Sequence, residues 1–162
     1  MLTYEQRDAV ADAVFPTLAL IALFHIGQAL AHKRWPLFGF GLAGAVYGMF
    51  TAYGLRYLDI LWPHWHRLGL DYSTHTAVVL VTVTLITLMT QKQRWVWPLI
   101  AGAYAGLMLY QAYHPLIDIV TTTLVVGFFF WPPVFFLYRW QATPPSAKAN
   151  GQKPPGSVAG LT

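Results

Sequence analysis

The sequence predicts an all-α integral membrane protein, a helical bundle of about five transmembrane helices. Of its 162 residues, 56% are hydrophobic and only 10% are charged, whereas about a quarter of the residues of an average soluble domain are charged. The apolar residues occur in long runs, not in the alternation typical of half-buried strands. We therefore expect residues 1–140 to form one transmembrane domain.

Two spans are predicted in the first third of the chain, over residues 14–31 and 36–55. The second contains Gly44 and Gly48, a pair of small residues four positions apart that lets two helices approach closely. We expect this pair to pack against another helix of the bundle.

A long connection follows, over residues 56–72, and mixes Trp and Leu with scattered charges. This composition is typical of a segment that lies in the membrane interface, with aromatic side chains at the level of the headgroups. It is the longest connection between the predicted spans, and long loops on a rigid scaffold often carry function.

Three further spans are predicted over residues 74–90, 95–113 and 119–138. The last contains Pro132 and Pro133, which lack a backbone N–H and are expected to kink or break the helix near its end.

The charged residues predict the orientation. One side of a five-span topology holds seven of the ten basic residues: Lys33, Arg34, Lys92, Arg94, Arg139, Lys148 and Lys153. All six acidic residues fall on the other side. The positive-inside rule then places the N-terminus outside and the C-terminus in the cytoplasm, as in a bacterial inner-membrane protein. Residues 141–162 are rich in Pro, Ser, Ala and Gly and predict a disordered cytoplasmic tail.

Two segments at the starts of spans fall on the same outer face and carry chemically active groups. His114 and Asp118 are four residues apart, so the carboxylate can hold one ring nitrogen while the other faces outward. Ser73 is a good N-cap for the span that contains His75, and a helix N-terminus attracts anions, phosphate included. Two imidazoles beside such a helix end can divide the work of phosphoryl transfer between a nucleophile and a proton donor.

These residues resemble a known superfamily. Ser73-Thr74-His75-Thr76 resembles the Ser-Gly-His-Thr motif of the type 2 phosphatidic acid phosphatases and sphingomyelin synthases, and His114 to Asp118 resembles their His-x-x-x-Asp motif. Asp71 resembles the acidic residue that precedes the first motif in the synthase branch. The resemblance implies a lipid phosphatase or phosphotransferase in which His114 is the nucleophile, Asp118 orients it and His75 is the general acid.

The same resemblance implies that substrate is held by the first-motif segment, which includes Asp71, Ser73 and Thr74. The Lys-x6-Arg-Pro motif of the phosphatases is absent from this sequence. Arg56 and Arg67 lie in the long connection, where either could supply the cation that binds phosphate. The expected partners are a lipid substrate and the bilayer, with no nucleic acid and no cofactor, and a homo-oligomer or a membrane complex is compatible with this.

Two other functions fit the same residues. The chain could be a non-catalytic subunit of a larger membrane complex. It could also bind a metal or haem, because His64 and His66 form a His-x-His pair in the long connection and His25 lies inside the first span.

Overall fold

The computed structural model describes residues 4–91 and 94–142. These residues form no strand, which confirms the all-α prediction for this part of the chain. The helices are α1 (Tyr4–Ala31), α2 (Trp35–Leu61), α3 (His64–Arg67), α4 (Thr74–Thr90), α5 (Val96–Tyr110) and α6 (Leu116–Ala142). The predicted tail lies outside the described residues except for Gln141 and Ala142, which belong to α6. Lys92 and the tail lysines also lie outside them.

Three helices are long and apolar enough to cross a membrane: Asp12–Ala31 of α1, all of α2 and all of α6. The other two predicted spans, α4 and α5, are apolar but have only 17 and 15 residues. Helices of these lengths measure about 25 and 22 Å, less than the roughly 30 Å of a hydrocarbon core. Length and composition therefore support a membrane bundle with three clear spans.

The central helix of the bundle is α4, which packs against α1, α2, α5 and α6. Around it, α5 packs on α1, α1 on α2, and α2 on α6. In α4, the side chains of Ala77, Val81 and Ile86 are almost completely buried by the surrounding helices. This arrangement puts the N-terminus of α4 in the middle of one end of the bundle, called the site end below.

The small residues of α2 pack against α4, as predicted. A methyl group on Gly44 would lie 2.5 Å from Cδ2 of Leu85, and one on Gly48 would collide with Val81. The two helices approach so closely that a methyl group at either position would force a neighbouring side chain to move.

Of the expected kink or break at Pro132 and Pro133, the break is wrong, because α6 continues through both residues to Ala142. Pro133 has no N–H to donate to the carbonyl of Phe129, one turn earlier. That carbonyl instead accepts a hydrogen bond of 2.9 Å from the hydroxyl of Tyr47 in α2. A neighbouring helix thus supplies the donor that the proline lacks, as is usual for prolines in membrane helices.

Several predicted boundaries also move. The second helix ends at Leu61 instead of residue 55, and Arg56 and Asp59 form an ion pair of 3.7 Å along its extra turns. The long connection is therefore shorter than predicted. It consists of a single turn of helix, α3, and the segment that follows it up to Ser73. At the other connection, α5 ends at Tyr110 and α6 already begins at Leu116.

Candidate functional site

The segment before α4 folds back into the bundle and is anchored there by Tyr72. The hydroxyl of Tyr72 donates to the carbonyl of Ala52 in α2 at 2.8 Å, and its ring meets the ring of Trp65 edge-on with centroids 5.2 Å apart. Tyr72 and Ser73 are both buried. The segment that leads into α4 is therefore held against α2 and α3.

Asp118 lies in the first turn of α6 and holds this segment in place. It is only 3% exposed, and its Oδ1 accepts a hydrogen bond of 3.0 Å from the backbone N–H of Asp71. One turn further along α6, Oγ1 of Thr122 accepts the N–H of Ser73 at 3.1 Å. Both predicted motifs are thus joined directly through hydrogen bonds.

The second carboxylate oxygen of Asp118 faces His114. Oδ2 lies 3.5 Å from Nδ1 of His114, as the four-residue spacing predicts, and Oδ2 of Asp71 lies 4.0 Å from the same nitrogen. The His114 side chain is 13% exposed. Because Nδ1 faces two carboxylates, Nε2 on the opposite edge of the ring is the nitrogen that can meet a substrate.

His75 lies in the first turn of α4 and has two partners that the sequence analysis did not identify. Its Nε2 lies 3.8 Å from Oδ1 of Asp12 in α1, an ion-pair distance if the ring is protonated. Its ring centroid lies 6.3 Å from that of Tyr113, the residue immediately before His114. His75 thus contacts the residue that immediately precedes His114 in the sequence.

The predicted N-cap is confirmed. The hydroxyl of Ser73 accepts hydrogen bonds from the backbone N–H of Thr76 at 3.3 Å and from the hydroxyl of Thr76 at 2.9 Å. The backbone N–H groups of Thr74 and His75 have no hydrogen-bond partner among the described residues. These two donors remain available at the mouth of α4.

Of the two predicted phosphate-binding cations, the structure brings Arg56 to the site. Its Nη1 lies 3.7 Å from Asp59 and 3.7 Å from Asp71, whose other oxygen is the one near His114. Arg67 is exposed on α3 and forms no ion pair within the described residues. The structure therefore places Arg56, and not Arg67, beside the residues of the candidate site, a choice that the sequence left open.

His64 and His66 are also exposed on α3. Within residues 4–91 and 94–142, no group of three or more His, Asp and Glu side chains is arranged to hold a metal ion. Oδ1 of Asp59 accepts the N–H of Trp65 at 3.1 Å. One of the two acidic residues nearest to the His-x-His pair in sequence is thus engaged in fixing the fold of α3.

Sequence reasoning missed Asp12 and Thr122 as parts of this region, and it did not predict the contact of Tyr113 with His75. Thr122 carries a weak signal, since it lies four residues after Asp118 and so on the same helix face. Asp12 carries none, because only the packing of α1 on α4 brings it to His75.

The arrangement has the groups that general acid–base and nucleophilic chemistry need: an imidazole oriented by a buried carboxylate, a second imidazole, free N–H donors and a guanidinium. Comparisons with models of known protein families, with curated proteins and with solved structures find no match to this chain.

Proposed function

We propose that this chain is a membrane lipid phosphatase or phosphotransferase that works through a phospho-His114 intermediate. The observation that carries the proposal is the buried carboxylate of Asp118, which lies 3.5 Å from Nδ1 of His114 while it accepts a hydrogen bond from the segment that leads to His75. A carboxylate in this position keeps the proton on Nδ1 and leaves the lone pair on Nε2 for attack.

In the first step, Nε2 of His114 attacks phosphorus and the bond from phosphorus to the lipid oxygen breaks. Protonated His75 donates its proton to the leaving oxygen, which departs as an alcohol. Asp118 balances the positive charge that develops on the His114 ring. Asp12, 3.8 Å from Nε2 of His75, can balance the charge of the protonated form of that ring before transfer.

In the second step, a water or a second alcohol attacks the phosphohistidine. Neutral His75 accepts the proton of the attacking hydroxyl, the P–N bond breaks, and the electron pair returns to Nε2 of His114. Water as the nucleophile gives hydrolysis and an alcohol gives headgroup transfer. The same two imidazoles serve both outcomes.

The N–H groups of Thr74 and His75 are the proposed donors to the phosphoryl oxygens, at the positive end of the α4 dipole. Arg56 is the proposed cation. Its pairing with Asp71 keeps the guanidinium next to the loop that borders His114. A phosphate would compete with Asp71 for Arg56, which links substrate binding to the position of this loop.

The extracytoplasmic face is the proposed location of the site, from the charge distribution alone. The basic residues near the opposite end of the helices, Arg34, Arg94 and Arg139, favour that end in the cytoplasm. A bacterial inner membrane, with the N-terminus outside, is part of the same proposal.

The test is phosphate release or headgroup transfer by purified protein on a panel of lipid phosphates. His114→Ala and His75→Ala should each lower the rate by at least about 10³-fold, and His64→Ala, an exposed position on α3, should have no effect. Wild-type protein given substrate labelled at phosphorus should carry an acid-labile, base-stable label that His114→Ala lacks. Turnover that survives both substitutions would overturn the mechanism.

A non-catalytic role in a larger membrane complex is the second candidate, and the charges at the site favour it. Three carboxylates, Asp12, Asp71 and Asp118, lie within 4.0 Å of the two histidines, whereas among the side chains that the structure describes Arg56 brings one guanidinium. An excess of negative charge opposes the binding of a phosphate dianion. This role predicts stable copurification with another membrane protein and no turnover of any lipid phosphate.

A further inference from the structure

A partly open cavity of about 140 Å³ lies near the end of the bundle opposite to the site end, and it is named the α1–α2 cavity here. Its walls come from the last two turns of α1, the turn that follows, the start of α2 and the last turn of α4: His25, Gln28, Ala29, His32, Arg34, Leu37 and Met89. None of the residues of the candidate site lines this cavity. A ligand bound there would therefore occupy a second site.

The turn between α1 and α2 brings Arg34 back to α1. The chain reverses direction between Ala31 and Trp35, and the N–H of Arg34 donates to the carbonyl of Ala29 at 2.8 Å. Lys33 adopts the left-handed conformation, with φ 54°, that is common at helix ends of this type. Arg34 therefore borders the same cavity as the last two turns of α1.

The polar side chains of the cavity carry hydrogen-bond donors that no protein group uses. Neither imidazole, of His25 or of His32, forms a hydrogen bond or an ion pair within the described residues. In the same part of the chain, the amide of Gln28 and the guanidinium of Arg34 also form none. A guanidinium has five N–H donors, an amide has two, and an imidazole has at least one even when it is neutral.

Among the described residues, no carboxylate lies close to the guanidinium of Arg34. The sequence has no Asp or Glu between Asp12 and Asp59, and Asp12 is about 20 Å from His25 along α1. At about 0.15 M salt, exposed charges more than about 8 Å apart are largely screened from each other. The α1–α2 cavity therefore offers donors and a positive charge, a combination that attracts an anion and repels a metal ion.

The size of the cavity and the number of its donors favour a phosphate group. A cavity of about 150 Å³ accommodates a group the size of benzene, and a phosphate group is smaller. Two of its oxygens can pair with the guanidinium of Arg34, which leaves the others for the amide and the imidazoles. A carboxylate has only two oxygens, and one guanidinium already satisfies both.

We propose that the α1–α2 cavity binds a phosphate group, with Arg34 as the cation and His25, His32 and Gln28 as further donors. The phosphate group belongs either to the headgroup of an anionic lipid in the adjoining leaflet or to a soluble phosphate compound. Basic pockets between membrane helices are known to bind lipid headgroups. The proposal does not depend on the proposed function, because a non-catalytic membrane subunit would contain the same cavity.

Equilibrium dialysis of the full-length protein against radiolabelled inorganic phosphate tests the site, in a nonionic detergent at about 0.15 M salt. Every protein in the series also carries Arg56→Gln, which removes the proposed phosphate-binding cation at the site end. The protein with this change alone should bind phosphate saturably. Adding Arg34→Gln should raise the Kd by about 10- to 100-fold, the effect of losing a charged hydrogen bond.

Variants without a change of charge separate a site from diffuse attraction. His25→Phe keeps the ring and removes its nitrogens, and it should raise the Kd by about 3- to 10-fold. Gln28→Leu, at an exposed position, should act in the same direction and replaces His25→Phe if that variant does not fold. Arg94→Gln is the matched control, since Arg94 lies near the same end but outside the cavity walls, and it should change the Kd by less than about 2-fold.

Competitors distinguish the two sources of the phosphate group. Dihexanoyl phosphatidylglycerol that displaces the labelled phosphate better than glycerol phosphate, while dihexanoyl phosphatidylcholine does not, assigns the cavity to an anionic lipid headgroup. Displacement by glycerol phosphate at an equal or lower concentration assigns it to a soluble compound. The proposal is overturned by acetate competing as well as phosphate, by the absence of saturable binding, or by equal effects of Arg34→Gln and Arg94→Gln.

Discussion

Asp71 and Asp118 are joined by one hydrogen bond, in which the backbone N–H of Asp71 donates to Oδ1 of Asp118 at 3.0 Å. The other oxygen of the same carboxylate faces Nδ1 of His114 at 3.5 Å. One side chain therefore fixes both the segment that leads into α4 and the proposed nucleophile. Its structural and its chemical contributions can be separated by substitution.

Asp118→Asn should separate them. The amide oxygen of asparagine can still accept the Asp71 N–H, so the thermal stability should stay close to that of the wild type. The negative charge beside His114 is lost, and we expect kcat on lipid phosphates to fall by about 10²- to 10⁴-fold. Asp118→Ala should lose the same activity and also about 1–3 kcal/mol of stability. Full activity in Asp118→Asn would contradict the role of the carboxylate.

Arg56 and Arg67 provide a test of the phosphate-binding cation. Arg56→Gln removes the guanidinium that pairs with Asp71, and we expect KM for a lipid phosphate to rise by about 10- to 100-fold, as expected for a charged hydrogen bond. Arg67→Gln, on the exposed face of α3, should leave KM unchanged. Steady-state kinetics on both variants decide which arginine binds phosphate. A raised KM in Arg67→Gln alone would assign the phosphate-binding cation to α3.

The contact between α2 and α4 depends on Gly48. A methyl group there would collide with Val81 and lie 2.9 Å from Cε2 of Phe130, so Gly48→Ala should destabilise the bundle by about 1–3 kcal/mol. Gly54→Ala is the matched control on the same helix, since nothing lies within 4 Å of its Cβ position. Thermal unfolding in one detergent compares the two. Equal stability of both variants would mean that α2 and α4 are further apart than described.

The buried phenol of Tyr72 is expected to make the protein less stable at alkaline pH. Burial raises the pKa of its phenol well above the ordinary value of 10.0, while the Arg56 charge lowers the pKa and the Asp59 charge raises it. The folded state thus keeps the proton at pH values where the unfolded chain has released it. The stabilisation is complete below about pH 10 and declines as the pH rises above it.

Tyr72→Phe removes this dependence. The substitution should lower the free energy of unfolding by about 1 kcal/mol at neutral pH, because the hydrogen bond to Ala52 is lost. Above pH 10 the stability of the variant should decline less steeply than that of the wild type. Denaturant unfolding at a series of pH values measures both effects. Parallel curves for the two proteins would show that Tyr72 is not responsible for the decline.

The helical class and the start of α4 could be predicted because they depend on local patterns. Apolar runs, the N-cap Ser73 and the spacing of His114 and Asp118 are properties of neighbouring residues. The helix ends were less predictable. α2 continues to Leu61, two residues before Pro63, and its added turns carry Arg56 and Asp59, where apolar composition gives no signal for a helix.

The partners across the bundle could not be predicted at all. Asp12 reaches His75 only because α1 packs on α4, and Tyr72 reaches Ala52 only because its loop folds inward. Contacts of this kind depend on which helices are neighbours, and the hydropathy of the sequence does not tell which helices pack against each other. The choice between Arg56 and Arg67 depends on the same information.

The hydrogen bond from Tyr47 to the carbonyl of Phe129 also determines how far α2 can slide along α6. Apolar helices in a membrane have little reason to prefer one vertical offset over another, because lipid tails solvate their side chains as well as a neighbour does. The carbonyl that Pro133 leaves unpaired is a single acceptor at a fixed depth, and Tyr47 reaches it in one alignment. Pro133, a residue type known for interrupting helices, thus leaves an acceptor that favours one alignment of α2 along α6.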